Sequence, residues 1–320
     1  MAAMTTTGDG SATARSGDLA GFAALLRRHR AGLRAHCYRM LGSYGQAEDV
    51  VQEAVLHAVS AHTAEPVPDR LYRLATLACL RLLDGRDRRV LPPHLSAPAT
   101  ADADLVARRD IAWLRPYPDR LRGDDRSGIA LAYTAALQQL PPRQRAVLLL
   151  ADLGWPVPRI AAALDATGQV VTHHLRHART LLGGAAGRAG EPRGSHQELL
   201  RRYADAVESG DLHAATALLA PDVRISMPPH LVWYQGRETL RAVAAAAWDP
   251  ASPRYAGTFR LVATGANGQP AAGVYRCPPG GRAHTAYAVA VFTVAGGAIA
   301  EITSFHDPEL FTWFDLPQQV

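Results

Sequence analysis

Between residues 140 and 182 the apolar positions recur with a helical period in three short bursts. Ala146, Leu149, Leu150 and Leu153 make the first, and Ile160, Ala161 and Leu164 the second. Val171, Leu175, Ala178 and Leu182 fall at i, i+4, i+7 and i+11 of the third. The breaks between them are chemically marked. Pro142 sits in a first turn, where its missing N–H costs nothing. Gly154, Pro156 and Pro158 separate the first two bursts, and Thr167 is placed to cap the last helix. On that helix Gln169, Thr172, His173, Arg176 and Arg179 lie largely off the apolar stripe. A helical pair with a small-residue turn and a polar, cationic outer face predicts a DNA-reading helix-turn-helix, although spacing alone fits any small helical hairpin equally well.

Upstream, residues 18–89 keep a helical pattern. Phe22, Leu25, Leu26, Leu33, Tyr38 and Leu41 precede a break at Gly42-Ser43-Tyr44-Gly45. Ala47, Val50, Val51, Ala54, Val55, Ala58 and Val59 then form a wide apolar stripe, opposite Glu48, Asp49, Gln52 and Glu53. Residues 91–126 read as a linker, with WLRPYPD at 113–119, and 184–195 as a Gly/Ala-rich flexible one. Beyond it the grammar changes. Leu199, Leu200, Tyr203 and Val207 face one way on a helix, Gly210-Asp211 turns, and a second helix runs to Leu219. Strands follow at 223–227, 258–263, 271–276, 287–294 and 298–304, with Gly-rich turns between them. This order predicts two all-α domains, at 18–90 and 127–183, and an α+β domain with a curled antiparallel sheet at 196–320.

Composition narrows the function. At 320 residues, 48% hydrophobic and 20% charged, the chain has room for several cores. No apolar run approaches the roughly 20 residues that span a bilayer, and the first 17 residues lack the apolar stretch of a secretory signal, so a disordered tail and no membrane partner are expected. Cys37, Cys79 and Cys277 have no paired metal spacing and suit reduced thiols in the cytoplasm; no metal or cofactor is expected. Every basic residue other than His is Arg. Residues 1–195 carry 25 Arg against 18 acidic groups and residues 196–320 carry 9 against 11, a net of +7 and −2. A basic first part suits a polyanion partner; the acidic last part does not.

The wording adds a resemblance. LPPRQRAVLLL, then W-x-x-x-x-I-A-x-x-L-D and L-x-x-A-R-x-x-L, closely resembles the fourth-region domain of extracytoplasmic-function (ECF) sigma factors. That implies promoter DNA as partner, with Thr167, Gln169, Thr172, His173, Arg176 and Arg179 as the DNA-binding residues. HCYRMLGSYGQAEDVVQEAVLHAV resembles their second-region domain, which implies docking of Asp49, Gln52 and Glu53 on core RNA polymerase. One piece departs from that family. SAHTAEPVPD is shorter than the usual aromatic loop that captures a promoter base, and Arg70 stands where a Trp is expected before Leu71-Tyr72-Arg73-Leu74-Ala75. Base capture uses a stacking face or a shaped pocket, so promoter melting transfers least securely. Arg81, Arg86, Arg88 and Arg89 remain available to phosphates.

DVRISMPP, WYQGRETL, NGQPAAGVYR and GGAIAEITSFHDPELF resemble the SnoaL-like family, which implies a cone with a pocket. WLRPYPD resembles a linker signature of an ECF subgroup carrying such a domain; aromatic residues docking the linker on a neighbour explain it equally well. His230, Trp233, Tyr234, Tyr255, Tyr275, Tyr287, Phe305 and His306 are the expected pocket residues, with His284 and Asp307 nearby, and a small-molecule ligand follows as a candidate partner. Two functions remain open. One is a cytoplasmic sigma factor that directs promoter-specific initiation and is modulated by its C-terminal domain. The other is a sigma-derived cyclase, isomerase or hydrolase of a polycyclic substrate, using His306, His230, Tyr287 and Asp307 as acid–base groups. Intact motifs in two domains favour the first.

Overall fold

The computed structural model describes residues 10–60, 66–122, 129–183 and 193–320. The N-terminal half is helical: α1 (Gly10–Leu41), α2 (Tyr44–Ser60), α3 (Val67–Leu83), α4 (Leu131–Gln138), α5 (Pro142–Asp152), α6 (Val157–Ala163) and α7 (Gly168–Leu182). The C-terminal part runs α8 (Arg193–Glu208), α9 (Leu212–Ala217), β1 (Leu219–Ser226), β2 (Trp233–Gln235), α10 (Arg237–Trp248), β3 (Thr258–Ala266), β4 (Gln269–Cys277), β5 (Thr285–Ala295), β6 (Ala298–Phe305) and α11 (Leu310–Phe314). No helix is long and apolar enough to cross a membrane among the described residues. Because α1 starts at Gly10, residues 10–17 of the expected disordered tail are helical.

The chain forms two compact units. The first contains α1, α2 and α3 with α5, α6 and most of α7. Gly42 takes φ +66°, the left-handed conformation that turns the chain between α1 and α2. Leu33, Cys37, Tyr38, Met40 and Leu41 of α1 are buried with Val50, Val51 and Ala54 of α2 and Leu71, Ala75 and Cys79 of α3. α5 packs on α1 and α3. Its Arg145 is fully buried and donates from Nη1 to the Met40 carbonyl. Desolvation lowers the Arg145 pKa to about 10.

The second unit is built on a six-stranded sheet in the order β2-β1-β6-β5-β4-β3. The expected all-antiparallel sheet is mixed: β1 and β6 run parallel, and the other neighbours are antiparallel. β1 begins at Leu219 rather than 223, and β2 and α10 escape the sequence patterns. Alternation divides the strands between two cores. Ala290 and Phe292 of β5 and Ile302 of β6 join Leu199, Leu200 and Leu240 on one face. Val289, Val291 and Phe305 join Leu310, Phe311 and Phe314 on the other.

That other face is also covered by Leu91 and Leu114 and by Leu131 and Ala135 of α4. Residues 91–121 of the stretch expected to be a linker at 91–126 are therefore packed structure. Tyr117 is fully buried. Its N–H donates to Asn267 Oδ1 at 2.8 Å, while Asn267 Nδ2 donates to the Ile129 carbonyl at 2.6 Å. Asp119 Oδ1 accepts from Gly268 N at 2.7 Å, and Trp233 Nε1 donates to the Ser96 carbonyl at 2.8 Å.

Candidate functional site

Three surfaces carry chemistry. On α2, burial of Ala47, Val50, Val51, Ala54 and Ala58 fixes what faces out. Asp49 and Gln52 are exposed, and Glu53 is half-buried against Arg81, 2.6 Å from its guanidinium. Glu48 turns inward instead and binds Arg30 (2.6 Å) and Arg34. Burial pushes its carboxyl upward, but the hydrogen bonds from Arg34 and Arg30 outweigh burial and hold it below the usual range. Val59, read as part of the apolar stripe, is 46% exposed, and Leu56 is 72% exposed beside it. The outer face is thus acidic and amide-bearing at one end and apolar at the other.

In the helix-turn-helix, Gly154 (φ +81°) and Asp165 (φ 48°) make the two turns. Thr167 Oγ1 caps α7 by accepting from Val170 N at 3.3 Å. Val171, Ala178 and Leu182 are buried, whereas Thr167, Gln169, Thr172, His173, Arg176 and Arg179 are not: their side chains reach solvent along the outer side of the helix. The apolar stripe anchors the helix; its cationic side is open.

The third surface is a cavity of about 260 Å³ in the C-terminal unit, between the sheet, α8 and α10. Val207, Leu261, Val274, Ala290 and Phe292 give it an apolar wall, with Tyr203, Tyr234, Tyr287, Ser304 and His306 as its main polar groups. The His306 ring lies 4.7 Å from Tyr287 and 5.1 Å, edge-on, from His230. Burial, and then the neighbouring His230 and Arg276, lower the His306 pKa to about 3, so the ring is neutral throughout the physiological range. Tyr287 reaches the cavity through a bulge. Tyr275 opposes Ala286 and Val274 opposes Ala288, which leaves Tyr287 as the extra residue. Burial alone raises the Tyr203 hydroxyl to about 12. Among the described residues no group of His, Cys, Asp and Glu is arranged to hold a metal.

The Sigma-70 region 2 model matches residues 25–89, the Sigma-70 region 4 model residues 130–182, and the SnoaL-like domain model residues 200–302. The ECF RNA polymerase sigma factor SigG of Mycobacterium tuberculosis is 37% identical, over 96% of this chain and 86% of its own. The chain belongs to the ECF sigma factor family. The probable ECF sigma factor SigI of the same species is 29% identical over 62% of this chain and 66% of its own. The crystal structure of the M. tuberculosis ECF sigma factor SigJ superposes with a TM-score of 0.64 at 20% identity, covering 92% of this chain and 99% of that one, and so shares the fold.

Within this sigma factor the residues singled out for the pocket separate. Tyr234, Tyr287 and His306 line the cavity, and His230 stands behind His306. Trp233 instead holds the linker at Ser96, and Tyr255 lies outside the lining. Tyr275 and Phe305 belong to the opposite core, where Tyr275 stacks edge-on against Phe311 at 5.0 Å. His284 meets Thr258 Oγ1 at 3.1 Å, away from the cavity. Asp307 is not part of the cavity lining and accepts from Arg115 at 2.7 Å. Of the Arg residues offered to phosphates, Arg81 is paired with Glu53, and Arg89 donates to the Trp113 carbonyl at 2.6 Å. Arg70 is buried. Half of the shortened stretch, 61–65, lies outside the described residues, and Val67, Pro68 and Asp69 begin α3. Leu56, Val59 and Leu105 gave no sign of their exposure: a stripe of apolar residues does not show which of them a partner element leaves uncovered.

Proposed function

We propose that this sigma factor docks on core RNA polymerase through Asp49, Gln52 and Glu53, with Leu56 and Val59 extending the surface. Thr167, Gln169, Thr172, His173, Arg176 and Arg179 then engage promoter DNA. The protein works in the cytoplasm, its C-terminal domain modulates initiation, and the cavity of that domain takes a small molecule. The observation that carries the reading is the split of α7: its apolar stripe is buried, while the six DNA-facing candidates stay open to solvent. Membership of the ECF family supports the polymerase partner. The same membership favours this reading over the enzyme one.

In vitro transcription with core polymerase and DNA from upstream of its own gene tests the whole. Asp49→Arg with Glu53→Arg should abolish co-purification with core polymerase, because complementary charge becomes repulsion. Full retention of a folded double variant removes the assigned docking face.

A further inference from the structure

The cavity has a wall that the C-terminal domain does not supply. Leu105, from the segment joining the two sigma regions, lines it together with residues of α8, α10 and the sheet. That segment is held to the domain on both sides of Leu105. Before it, Arg254 donates to the carbonyls of Ala101 (3.0 Å) and Asp102. After it, Arg108 N donates to the Pro229 carbonyl at 2.8 Å, and Ala107 bridges His230. Since His230 stacks edge-on against His306, this end of the segment sits directly behind the cavity's imidazole. Leu105 itself stays 48% exposed and Val106 60% exposed, so the wall is thin and open to solvent on its outer side.

The lining also defines what fits. Among the described residues no Asp, Glu, Arg or Lys side chain lines the cavity, and the imidazole of His306 is neutral there. A charged ligand would find no counter-ion in the lining itself, since Arg276 lies outside it over the Tyr287 ring. Ser304, His306 and Tyr287 form one polar corner, and the hydroxyls of Tyr203 and Tyr234 are the other main polar groups of a mostly apolar lining. The volume matches roughly nine water molecules at liquid density, room for a compact organic skeleton.

Resting on the reading that the cavity takes a small molecule, we propose that its ligand is an uncharged, largely apolar compound with one hydrogen-bonding head at Ser304, His306 and Tyr287, and that the inter-region segment around Leu105 forms part of its binding wall. Ligand and segment are then thermodynamically coupled. Whatever affinity the docked segment adds, the ligand returns as stabilisation of the docked segment. A molecule in the C-terminal domain is thereby read by the chain that joins the two sigma regions.

The full chain can be titrated with the neutral fluorophore N-phenyl-1-naphthylamine, followed by competition with 1-naphthalenemethanol and with 1-naphthoate, which share a skeleton and differ in charge. Saturable binding should appear and be lost in Ala290→Trp or Ala244→Phe, which fill the cavity from the sheet and from α10. The alcohol should compete at least about thirtyfold better than the carboxylate. Leu105→Ser should weaken the fluorophore about tenfold, and bound fluorophore should slow tryptic cleavage after Arg108 and Arg109. Equal or better competition by 1-naphthoate overturns the ligand class and points to Arg276, stacked 4.7 Å over Tyr287, as an anion partner. Unchanged affinity in Leu105→Ser, or no protection of Arg108 and Arg109, overturns the shared wall. Failure of all three compounds to bind, by fluorescence and by equilibrium dialysis, overturns the small-molecule reading itself.

Discussion

Glu48 shows how one residue changes meaning between sequence and structure. It belongs by spacing with Asp49, Gln52 and Glu53, yet it is buried between Arg30 and Arg34. A carboxylate with two guanidinium partners is a clamp between α1 and α2, not a docking group. Glu48→Gln should destabilise the first unit by about 1–3 kcal/mol, since it removes the negative charge and one of the two acceptor oxygens that Arg30 and Arg34 share. The sign with pH follows from the depressed carboxyl pKa. Its stabilisation is complete above the unfolded carboxylate range near 4.5 and fades as the pH falls through the lower folded value. Thermal melts from about pH 7 down to about pH 3 should therefore converge for wild type and Glu48→Gln at the acid end. A gap that stays constant with pH would show that the clamp is not ionic.

At the scale of elements, periodicity revealed the helices that bury one stripe. α7 and α2 were legible because their apolar spacing is regular and their ends are marked by Gly, Pro and Thr. α10 was not, since Ala242–Ala247 offers little contrast between faces, apart from Val243. β2 has only three residues, and the parallel pairing of β1 with β6 depends on partners far apart in sequence. The cavity was half legible. An aromatic residue's type is visible in sequence, but its side of the sheet depends on register, and the bulge at Tyr287 changes parity within β5. The exposed face of α7 yields its own prediction. Arg176→Ala and Arg179→Ala should weaken promoter-fragment binding and each reduce the salt slope by about one if they touch phosphates. Altered sequence preference with an unchanged slope would make them base readers. Full affinity and specificity in both would leave α7 without a DNA role.

For the whole molecule, the packed segment at 87–121 changes which experiment can reveal modulation by the C-terminal domain. Deleting residues 196–320 would strip Leu91, Leu114 and Tyr117 of the sheet that covers them, so lost transcription in such a truncation would report exposed apolar surface as readily as lost regulation. A point change is cleaner. Asn267 sits at the β3–β4 turn with φ 57°, and Gly268 follows at 71°, the tight hairpin conformation that an Asn-Gly pair favours. From that turn its amide reaches Tyr117, 150 positions away, and Ile129. Asn267→Asp keeps the acceptor and the turn but removes the N–H donor to the Ile129 carbonyl, at a cost of about 1–3 kcal/mol. Arg115→Ala adds loss of the more exposed pair with Asp307, worth about 0–1 kcal/mol. The double variant should keep its sheet, by circular dichroism, while trypsin cuts more quickly at Arg108 and Arg120. With core polymerase it should open the same promoter, by permanganate footprinting, at an altered rate of transcript formation. An unchanged rate alongside accelerated cleavage would separate the docked segment from initiation. The C-terminal domain would then have to act elsewhere.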